Sequence, residues 1–244
     1  MELPSGGEPR RRVVLWDFDG TLAFRPGGWR RCLVEVLDEF SPGHGVFEDQ
    51  IRPHLRDGFP WHNPSVAHPE LADPDVWWAS VGAVLGRALE RNGVDPAQAQ
   101  RLVQHFRTRY TDGTRGWAQC DGAVAALRQL QEAGWIHIIL SNHVPELESI
   151  IGGIGLATYV DTVLTSALTG YEKPHPEAFA LGQRLGGTGA ECWMVGDNPI
   201  ADIAGAQAAG LPTILVQNPE GPPMLEARAL RDVPDAILNP ASKR

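Results

Sequence analysis

The spacing of the hydrophobic positions changes along the chain and predicts its first elements. Residues 13–16 (VVLW) form a short apolar run that ends in polar residues and glycine. A run without polar alternation is typical of a β-strand buried on both faces. From Trp29 to Phe40 the apolar side chains recur at helical spacing, which predicts a helix with one buried face. Asp73 and Asp95 each precede a proline, a combination that predicts the capped start of a further helix.

Beyond Gly116, helical patterns alternate with short apolar runs. The runs predict strands at residues 135–140, 159–164, 192–195, 213–216 and 236–238. Helices are predicted at residues 122–133, 176–185 and 200–209, and a glycine-rich segment follows the first of the strands. Strands that alternate with helices imply right-handed crossovers and a parallel sheet covered on both faces.

The domain organisation follows from where the two patterns lie. Residues 24–112 carry helical patterns, interrupted by an irregular loop at 58–69 that is rich in proline, histidine and tryptophan. The simplest interpretation is an α/β fold, a Rossmann-like parallel-sheet core with an inserted α-helical cap. The core then comprises residues 12–23 and 113–244, the cap residues 24–112, and residues 1–11 a flexible lead-in.

Charge and composition narrow the classes of function. Lys and Arg number 21 against 30 Asp and Glu, a net charge of −9, whereas nucleic-acid and anionic-membrane binders are usually basic. No run of eighteen apolar residues occurs and the first residues lack an apolar signal segment, so we expect no membrane span. The scattered Cys32, Cys120 and Cys192 predict reduced thiols in a cytoplasmic protein. The oligomeric state stays open.

Polar residues follow most of the predicted strands. They are Asp17 and Asp19, then Ser141 and Asn142, then Lys173, and finally Asp197 with Asp202. Singly, each has an ordinary explanation as a turn, a helix cap or a solvated side chain. Because ligands of such sheets bind at the carboxyl ends of the strands, however, these residues are expected at one edge. Clustered carboxylates repel one another unless a cation relieves them, and oxygen-only ligands favour Mg²⁺ over zinc.

The same residues carry a family resemblance. The runs are DFDGTL at 17–22, SN at 141–142, KP at 173–174 and GDNPIAD at 196–202. In this order they resemble the four motifs of the haloacid dehalogenase superfamily. The helical stretch between the first two resembles that superfamily's C1-type cap, and the resemblance spans roughly residues 12–240.

The resemblance implies roles for the acidic residues. Asp17 would be the nucleophile that attacks phosphorus and forms an aspartyl-phosphate. Mg²⁺ would be held by Asp17, the backbone carbonyl of Asp19 and Asp197, with Asp202 holding a ligand or Lys173 in place. Asp19 would be the general acid and base, which favours a phosphatase over a dehalogenase.

The resemblance also implies a phosphate site and leaves the reaction partly open. Lys173 and Ser141 would bind the phosphate oxygens, with Thr21 and Asn142 as weaker contributors that can also serve local turns. The expected substrate is a small phosphorylated metabolite. A sugar phosphomutase of the same fold remains an alternative, and so does a non-catalytic phosphate-binding or regulatory module, although the complete set of motif residues favours turnover.

Substrate selectivity is expected from the cap. Phe59, Trp61 and His62 lie in the irregular loop and are candidate walls of the substrate pocket. The alternative is that Phe59 and Trp61 fill the core of the cap. Arg25 and Arg30 could meet a second anionic group, but ordinary surface arginines are the expectation there. The histidines, including those that follow Asn142 and Pro174, show no metal-binding spacing and are interpreted as ordinary polar residues.

Overall fold

A computed structural model describes residues 10–240; residues 1–9 of the predicted lead-in and the last four residues lie outside the described part. The strands are β1 (Arg12–Trp16), β2 (Ala23–Phe24), β3 (Ala118–Gln119), β4 (Ile136–Ser141), β5 (Thr162–Thr165), β6 (Glu191–Gly196) and β7 (Thr213–Leu215). The α-helices are α1 (Gly28–Phe40), α2 (Glu48–Ile51), α3 (Pro74–Arg91), α4 (Pro96–Tyr110), α5 (Ala123–Glu132), α6 (Leu147–Gly153), α7 (Ser166–Thr169), α8 (Pro176–Gly186), α9 (Gly205–Ala208) and α10 (Val233–Leu238). A π-helical turn covers Pro199–Ala204, and 3-10 turns cover Arg52–Leu55, Pro60–His62, Pro69–Leu71, Ala157–Tyr159 and Leu230–Asp232.

Five strands form one parallel sheet in the order β5-β4-β1-β6-β7. The chain builds outward from β1 through β4 to β5 and then returns to the other side of β1 with β6 and β7. This arrangement confirms the predicted α/β fold with a Rossmann-like sheet. The reversal of strand order lies beside β1, and in such sheets the crevice at the reversal is where ligands bind.

The first strand is buried on both faces, which explains its unbroken apolar run. Val14 and Trp16 belong to the cluster that packs under α5, α6 and α10. Val13 and Leu15 point the other way, into the cluster formed with α8 and α9. Successive side chains of a strand point to opposite faces of the sheet. A strand that is covered on both faces therefore needs an apolar residue at every position.

Helices α1, α3 and α4 pack together beyond the end of the sheet. Asp73 caps α3 by accepting hydrogen bonds from the backbone N–H groups of the first turn, and Asp95 caps α4 in the same way, as predicted. Their shared core is largely aromatic, and its rings come from the three helices and from the loop that contains the turn Pro60–His62. They are Trp29, Phe59, Trp61, Trp77, Trp78, Phe106 and Tyr110.

The helices α1 to α4 with the turns between them, here called the helical segment, leave and rejoin the sheet through a two-stranded antiparallel ribbon. Ala23 pairs with Gln119, and Phe24 pairs with Ala118. The two connecting segments are therefore hydrogen-bonded to each other at the base of the helical segment, instead of running as two separate linkers.

One sequence-based prediction was wrong, and one segment without a predicted element forms a helix. Residues 236–238 were predicted as a strand but belong to helix α10, whose buried Val233 and Ile237 lie one turn apart and pack towards α5. An apolar run this short does not distinguish a strand from a helix, and Pro234 suits a first helical turn. The glycine-rich segment, for which no element was predicted, contains α6, because Leu147, Ile150 and Ile151 provide a buried helical face before the glycines end it.

Two element boundaries also moved. The strand predicted at 159–164 begins only at Thr162, since Ala157–Tyr159 forms a 3-10 turn. The helix predicted at 200–209 is divided into the turn Pro199–Ala204 and the short helix α9. Within residues 10–240, every helix is too short or too polar to cross a bilayer.

Candidate active site

The residues at the ends of β1, β4 and β6 surround one cavity between the sheet and the helical segment. Its volume is about 510 Å³. The lining residues from the sheet side are Asp17, Asp19, Ser141, Asn142, His143, Val144, Lys173, Pro174, Asp197, Asn198, Ile200, Ala201 and Asp202. Those from the helical segment are Trp29, Trp61, Pro64 and Tyr110.

Asp17 follows β1 directly and is held from two sides. Its Oδ1 accepts hydrogen bonds from Ser141 Oγ at 2.9 Å and from Lys173 Nζ at 2.7 Å. Thr21 Oγ1 lies 3.3 Å from the other oxygen, Oδ2. The carboxylate is therefore oriented by contacts that fall mainly on Oδ1.

Lys173 is a buried cation tied to two carboxylates. Its Nζ donates to Asp17 and also to Asp202 Oδ1 at 2.6 Å. Burial alone would lower the pKa of the ammonium, but the charges and hydrogen bonds of these two aspartates outweigh it and raise the pKa. Asn142 fixes the backbone of Lys173 by donating to its carbonyl at 2.9 Å and accepting from its N–H at 2.6 Å. Asn142 thus positions Lys173.

Three carboxylates offer a site for a hard cation. Oxygen atoms of Asp17, Asp197 and Asp202 lie within 4.8 Å of one another. Burial, followed by the charge of Asp17, raises the pKa of Asp197, which indicates uncompensated repulsion. This all-oxygen set fits Mg²⁺. Asp202 already accepts from Lys173 through Oδ1 and from the backbone N–H of Asn198 through Oδ2, so its contacts suit the positioning of Lys173.

Asp19 faces the same cavity two residues after Asp17. Its side chain is open to the cavity, yet the surrounding protein displaces much of its water. This desolvation, with the negative charges of Asp17, Asp197 and Glu220, raises the pKa of Asp19 to about 8. A carboxyl group at this place can hold a proton near neutral pH.

Gly20 allows the turn that carries both aspartates. Its φ is +89°, and a Cβ there would lie 2.3 Å from Asn218 Nδ2 and 2.6 Å from Asp197 Oδ2. Asn218 Nδ2 donates to Asp197 Oδ2 at 2.6 Å. Asn218 was not predicted at the site, because it belongs to a loop far along the chain and to no motif. Thr21 is fully buried with its hydroxyl between Asp17 and Asp197, outside the cavity lining.

The three candidate selectivity residues are placed differently. Trp61 lines the cavity and is half-buried. Phe59 is 5% exposed and stacks on Trp61 with ring centroids 4.5 Å apart, so it supports the wall from behind. His62 is exposed and borders a different surface hollow. Trp29 and Tyr110 were not predicted at the cavity, because aromatic residues at helical spacing are typical of a buried core.

Arg25 is neither a surface arginine nor a cavity residue. Its side chain is buried, with Nη2 2.5 Å from Glu35 Oε2 and Nη1 donating to the carbonyl of Arg115 at 2.6 Å. Its guanidinium lies behind the Tyr110 ring. The expectation of a surface position was therefore wrong for Arg25. Arg30 lies on α1, outside the cavity lining.

His143 is not an ordinary surface polar residue. It is 4% exposed and lies among the rings of Phe18, Tyr110 and Trp117. Among the described residues, neither ring nitrogen has a hydrogen-bond partner. Burial lowers the pKa of His143 to about 3, so the ring is neutral.

Comparison with known proteins agrees with this arrangement. A family model described as haloacid dehalogenase-like hydrolase matches residues 11–210. The human haloacid dehalogenase-like hydrolase domain-containing protein 3 is 35% identical over 223 residues, covering 86% of this chain and 83% of the relative. A phosphoserine phosphatase from Thermus thermophilus is 34% identical over 62% of each chain.

Solved structures share the fold. The crystal structure of the HAD hydrolase YfnB from Bacillus subtilis, bound to magnesium, has a TM-score of 0.69 at 20% identity and covers 94% of this chain and 99% of its own. A 2-haloacid dehalogenase from Pseudomonas syringae has a TM-score of 0.66 at 25% identity and covers 95% and 100%. With the motif residues gathered at one cavity, these matches confirm the resemblance noted in the sequence: the chain belongs to the haloacid dehalogenase-like hydrolases.

Proposed function

We propose that this protein is a Mg²⁺-dependent phosphatase that hydrolyses a small phosphate monoester through an aspartyl-phosphate on Asp17. The observation that carries the proposal is the pairing of two aspartates at one cavity. Asp17 has Oδ1 bound by Lys173 and Ser141, and Asp19 faces the same space. A nucleophile next to an independent acid and base suits the two steps of ester hydrolysis.

The proposed reaction uses the chain's own groups in sequence. An Asp17 oxygen attacks phosphorus while the bond from phosphorus to the ester oxygen breaks, and Asp19 gives its proton to the departing alcohol. Asp19 then takes a proton from water, whose oxygen attacks the aspartyl-phosphate and releases inorganic phosphate and Asp17. Lys173 and Ser141 lie where they can donate to phosphate oxygens. Bound Mg²⁺ would neutralise phosphate charge, and Asp17 and Asp197 are the side chains proposed to hold it.

The relatives' names support a phosphatase without fixing the substrate. One relative is named a phosphoserine phosphatase, while one structural neighbour is a dehalogenase. We favour phosphate chemistry because Asp19 supplies the proton transfers that a departing alcohol requires. The helical segment, residues 24–112, is proposed to select the substrate and the sheet domain to perform the reaction. A cytoplasmic location is part of the proposal, supported by three buried cysteines that form no disulfide.

The decisive experiment is a panel of phosphate monoesters assayed for inorganic phosphate with Mg²⁺ present. We expect phosphate release from at least one ester and a loss of about 10³-fold or more in Asp17→Asn, because the amide cannot attack phosphorus. Turnover of the variant within tenfold of wild type would contradict the role of Asp17. Formation of an isomeric phosphate ester without phosphate release would instead identify a phosphomutase.

A further inference from the structure

The cavity has a polar floor and an apolar wall. The floor carries the carboxylates and Lys173, whereas the wall from the helical segment consists of Trp29, Trp61, Pro64 and Tyr110. A volume of about 510 Å³ is within the usual range for small-molecule sites and exceeds what a phosphate group alone would occupy. The remaining space beside the wall is therefore available to the alcohol part of the ester.

The wall presents flat aromatic surface. Phe59 covers one face of Trp61 in a near-parallel stack, with an interplanar angle of 9°. Since Trp61 also lines the cavity, the opposite face and the ring edge are the surfaces left to a ligand. Trp29 is held by stacking on Phe106 and lies 5.5 Å from Trp61 between ring centroids. The two indole planes are inclined by 50° to each other, so a planar group can stack on one ring and meet the other at an angle.

The charges at the cavity disfavour a second anionic group on the substrate. Among the described residues that line it, Lys173 is the one lysine or arginine, and its ammonium already binds Asp17 and Asp202. Asp19 and Asp197 add further negative charge. A carboxylate or second phosphate beyond the reacting phosphate would lack a cationic partner there.

The neighbouring basic residues do not supply a cationic partner for a second anionic group either. The guanidinium of Arg25 is bonded to Glu35 and to a backbone carbonyl, and it lies behind Tyr110. His143 is neutral at physiological pH because burial lowers its pKa to about 3. Its neutral ring cannot supply positive charge, and its buried nitrogens have no hydrogen-bond partner among the described residues.

We propose that the substrate is a phosphate monoester whose alcohol carries an uncharged planar ring, such as a nucleoside monophosphate, and that Trp29 and Trp61 bind this ring. The inference rests on the proposed phosphatase function and adds the class of substrate. It sets the chain apart from an enzyme whose substrate carries a carboxylate, as the phosphoserine in the name of one relative does.

The test compares esters that share a reacting centre. Phosphate release with Mg²⁺ is measured for a nucleoside 5′-monophosphate, for ribose 5-phosphate, which lacks the base, and for phosphoserine, which carries extra charge. We expect kcat/KM to be at least about 10-fold higher for the nucleotide than for either other ester, because stacking stabilises only the planar ring.

Variants test whether Trp61 of the cavity wall binds the planar ring of the substrate. Trp61→Ala should reduce the ratio of kcat/KM for nucleotide to that for ribose 5-phosphate by roughly 10-fold, while Trp61→Phe should retain most of it. Phe40→Ala is the matched control, since Phe40 is an exposed ring of the same helical segment outside the cavity lining. The control should leave the ratio unchanged. Melting temperatures of all variants show whether a fall in activity reflects lost folding.

The outcomes separate the two proposals. If ribose 5-phosphate or phosphoserine is hydrolysed as efficiently as the nucleotide, this inference is overturned and the phosphatase function stands. If Trp61→Ala lowers the melting temperature and reduces all esters equally, the ring-binding role of Trp61 is rejected. If none of the esters releases phosphate and a wider panel also fails, the proposed function fails and this inference fails with it.

Discussion

At the scale of single residues, the site depends on how closely its side chains approach one another. Four carboxylates and one ammonium share the cavity floor, and the ammonium of Lys173 is bound to Asp17 and Asp202 at the same time. Breaking one partner of such a buried set leaves an unpaired charge, which is costly. The positions of the surrounding backbone atoms are therefore as important as the charged groups.

Gly20 offers a direct test of this packing. Gly20→Ala should reduce activity by roughly 100-fold, because the new Cβ would displace Asp197 and Asn218 and an error of about 1 Å in a catalytic site has that effect. Gly43→Ala is the control, since Gly43 also has a positive φ, +83°, but open space around it. Both substitutions should cost about 1–2 kcal/mol of stability from backbone strain. Equal activity in the two variants would show that the contact at Gly20 is unimportant.

Glu172 should make stability depend on pH. Burial raises its pKa from 4.5 to about 7, an effect that Ser166 and Lys173 oppose only partly. The folded state then binds the proton more tightly than the unfolded state, so stability falls as the pH rises from about 4.5 to about 7. At higher pH the buried charge costs roughly 3 kcal/mol.

Glu172→Gln should therefore flatten the pH dependence of stability. The difference in unfolding free energy between pH 5 and pH 8, measured with a denaturant, should change by about 2–3 kcal/mol relative to wild type, in the direction of higher stability at pH 8. Glu148→Gln replaces an exposed glutamate and should retain the wild-type dependence. Parallel pH profiles for all three proteins would contradict the assigned role of Glu172.

The sequence predicts site residues that directly follow a strand. It does not predict residues whose place in the site depends on elements that are distant along the chain. Asp17, Asp19 and Asp197 follow strands directly, so the pattern of apolar runs points to them. Asn218 and His143 carry no such signal: Asn218 reaches Asp197 from a loop, and the burial of His143 depends on rings from other elements.

At the scale of elements, the strands were easier to predict than the short helices. The unbroken apolar runs at β1 and β6 follow from burial on both sheet faces. Helices α6 and α10 have only six or seven residues, so their patterns contain too few turns to be distinguished from a loop or a strand. Tertiary packing determines that both segments are helical, and the local sequence pattern carries no information about that packing.

Helices α3 and α4 are also joined to α6 by one glutamate. Glu146 Oε2 accepts from Trp78 Nε1 at 2.9 Å, and Glu146 Oε1 accepts from Arg107 Nη2 at 2.7 Å. Arg107 also contacts Asp75, which lies within the helical segment and is highly exposed. The contacts of Glu146 with Trp78 and Arg107 link the helical segment to the part of the chain that forms the sheet. The contact between Arg107 and Asp75 lies within the helical segment.

Removing the charge of Glu146 should weaken this link specifically. Glu146→Gln should lower the unfolding free energy by about 1–2 kcal/mol, because three N–H donors, Trp78 Nε1 and the Nε and Nη2 of Arg107, lose a charged acceptor. Asp75→Asn, which removes an exposed partner of the same arginine, should cost less than about 0.5 kcal/mol. Denaturant unfolding measures both values, and KM measures whether the link also positions the cavity wall. Equal losses would assign the effect to Arg107 alone.

At the scale of the whole molecule, a chain with a net charge of −9 brings three carboxylates within 4.8 Å of one another at the cavity. Burial and then the charge of Asp17 raise the pKa of Asp197, so burying these two carboxylates together opposes folding, and a bound cation would relieve that cost. Binding to the folded state alone stabilises a protein by about 2.7 kcal/mol when the ligand is at 100 times its Kd. Binding of Mg²⁺ should therefore increase the stability of the folded protein.

Mg²⁺ should raise the melting temperature by about 5–10 °C at such saturation. EDTA should remove both this shift and the activity, and added Mg²⁺ should restore them. Ca²⁺ should restore little activity, because its larger and more variable coordination misplaces the attacking carboxylate. Asp197→Asn should lose most of the shift, whereas Asp49→Asn, at an exposed position of α2, should keep it. Full activity in chelator, or an unchanged shift in Asp197→Asn, would contradict a metal site at these carboxylates.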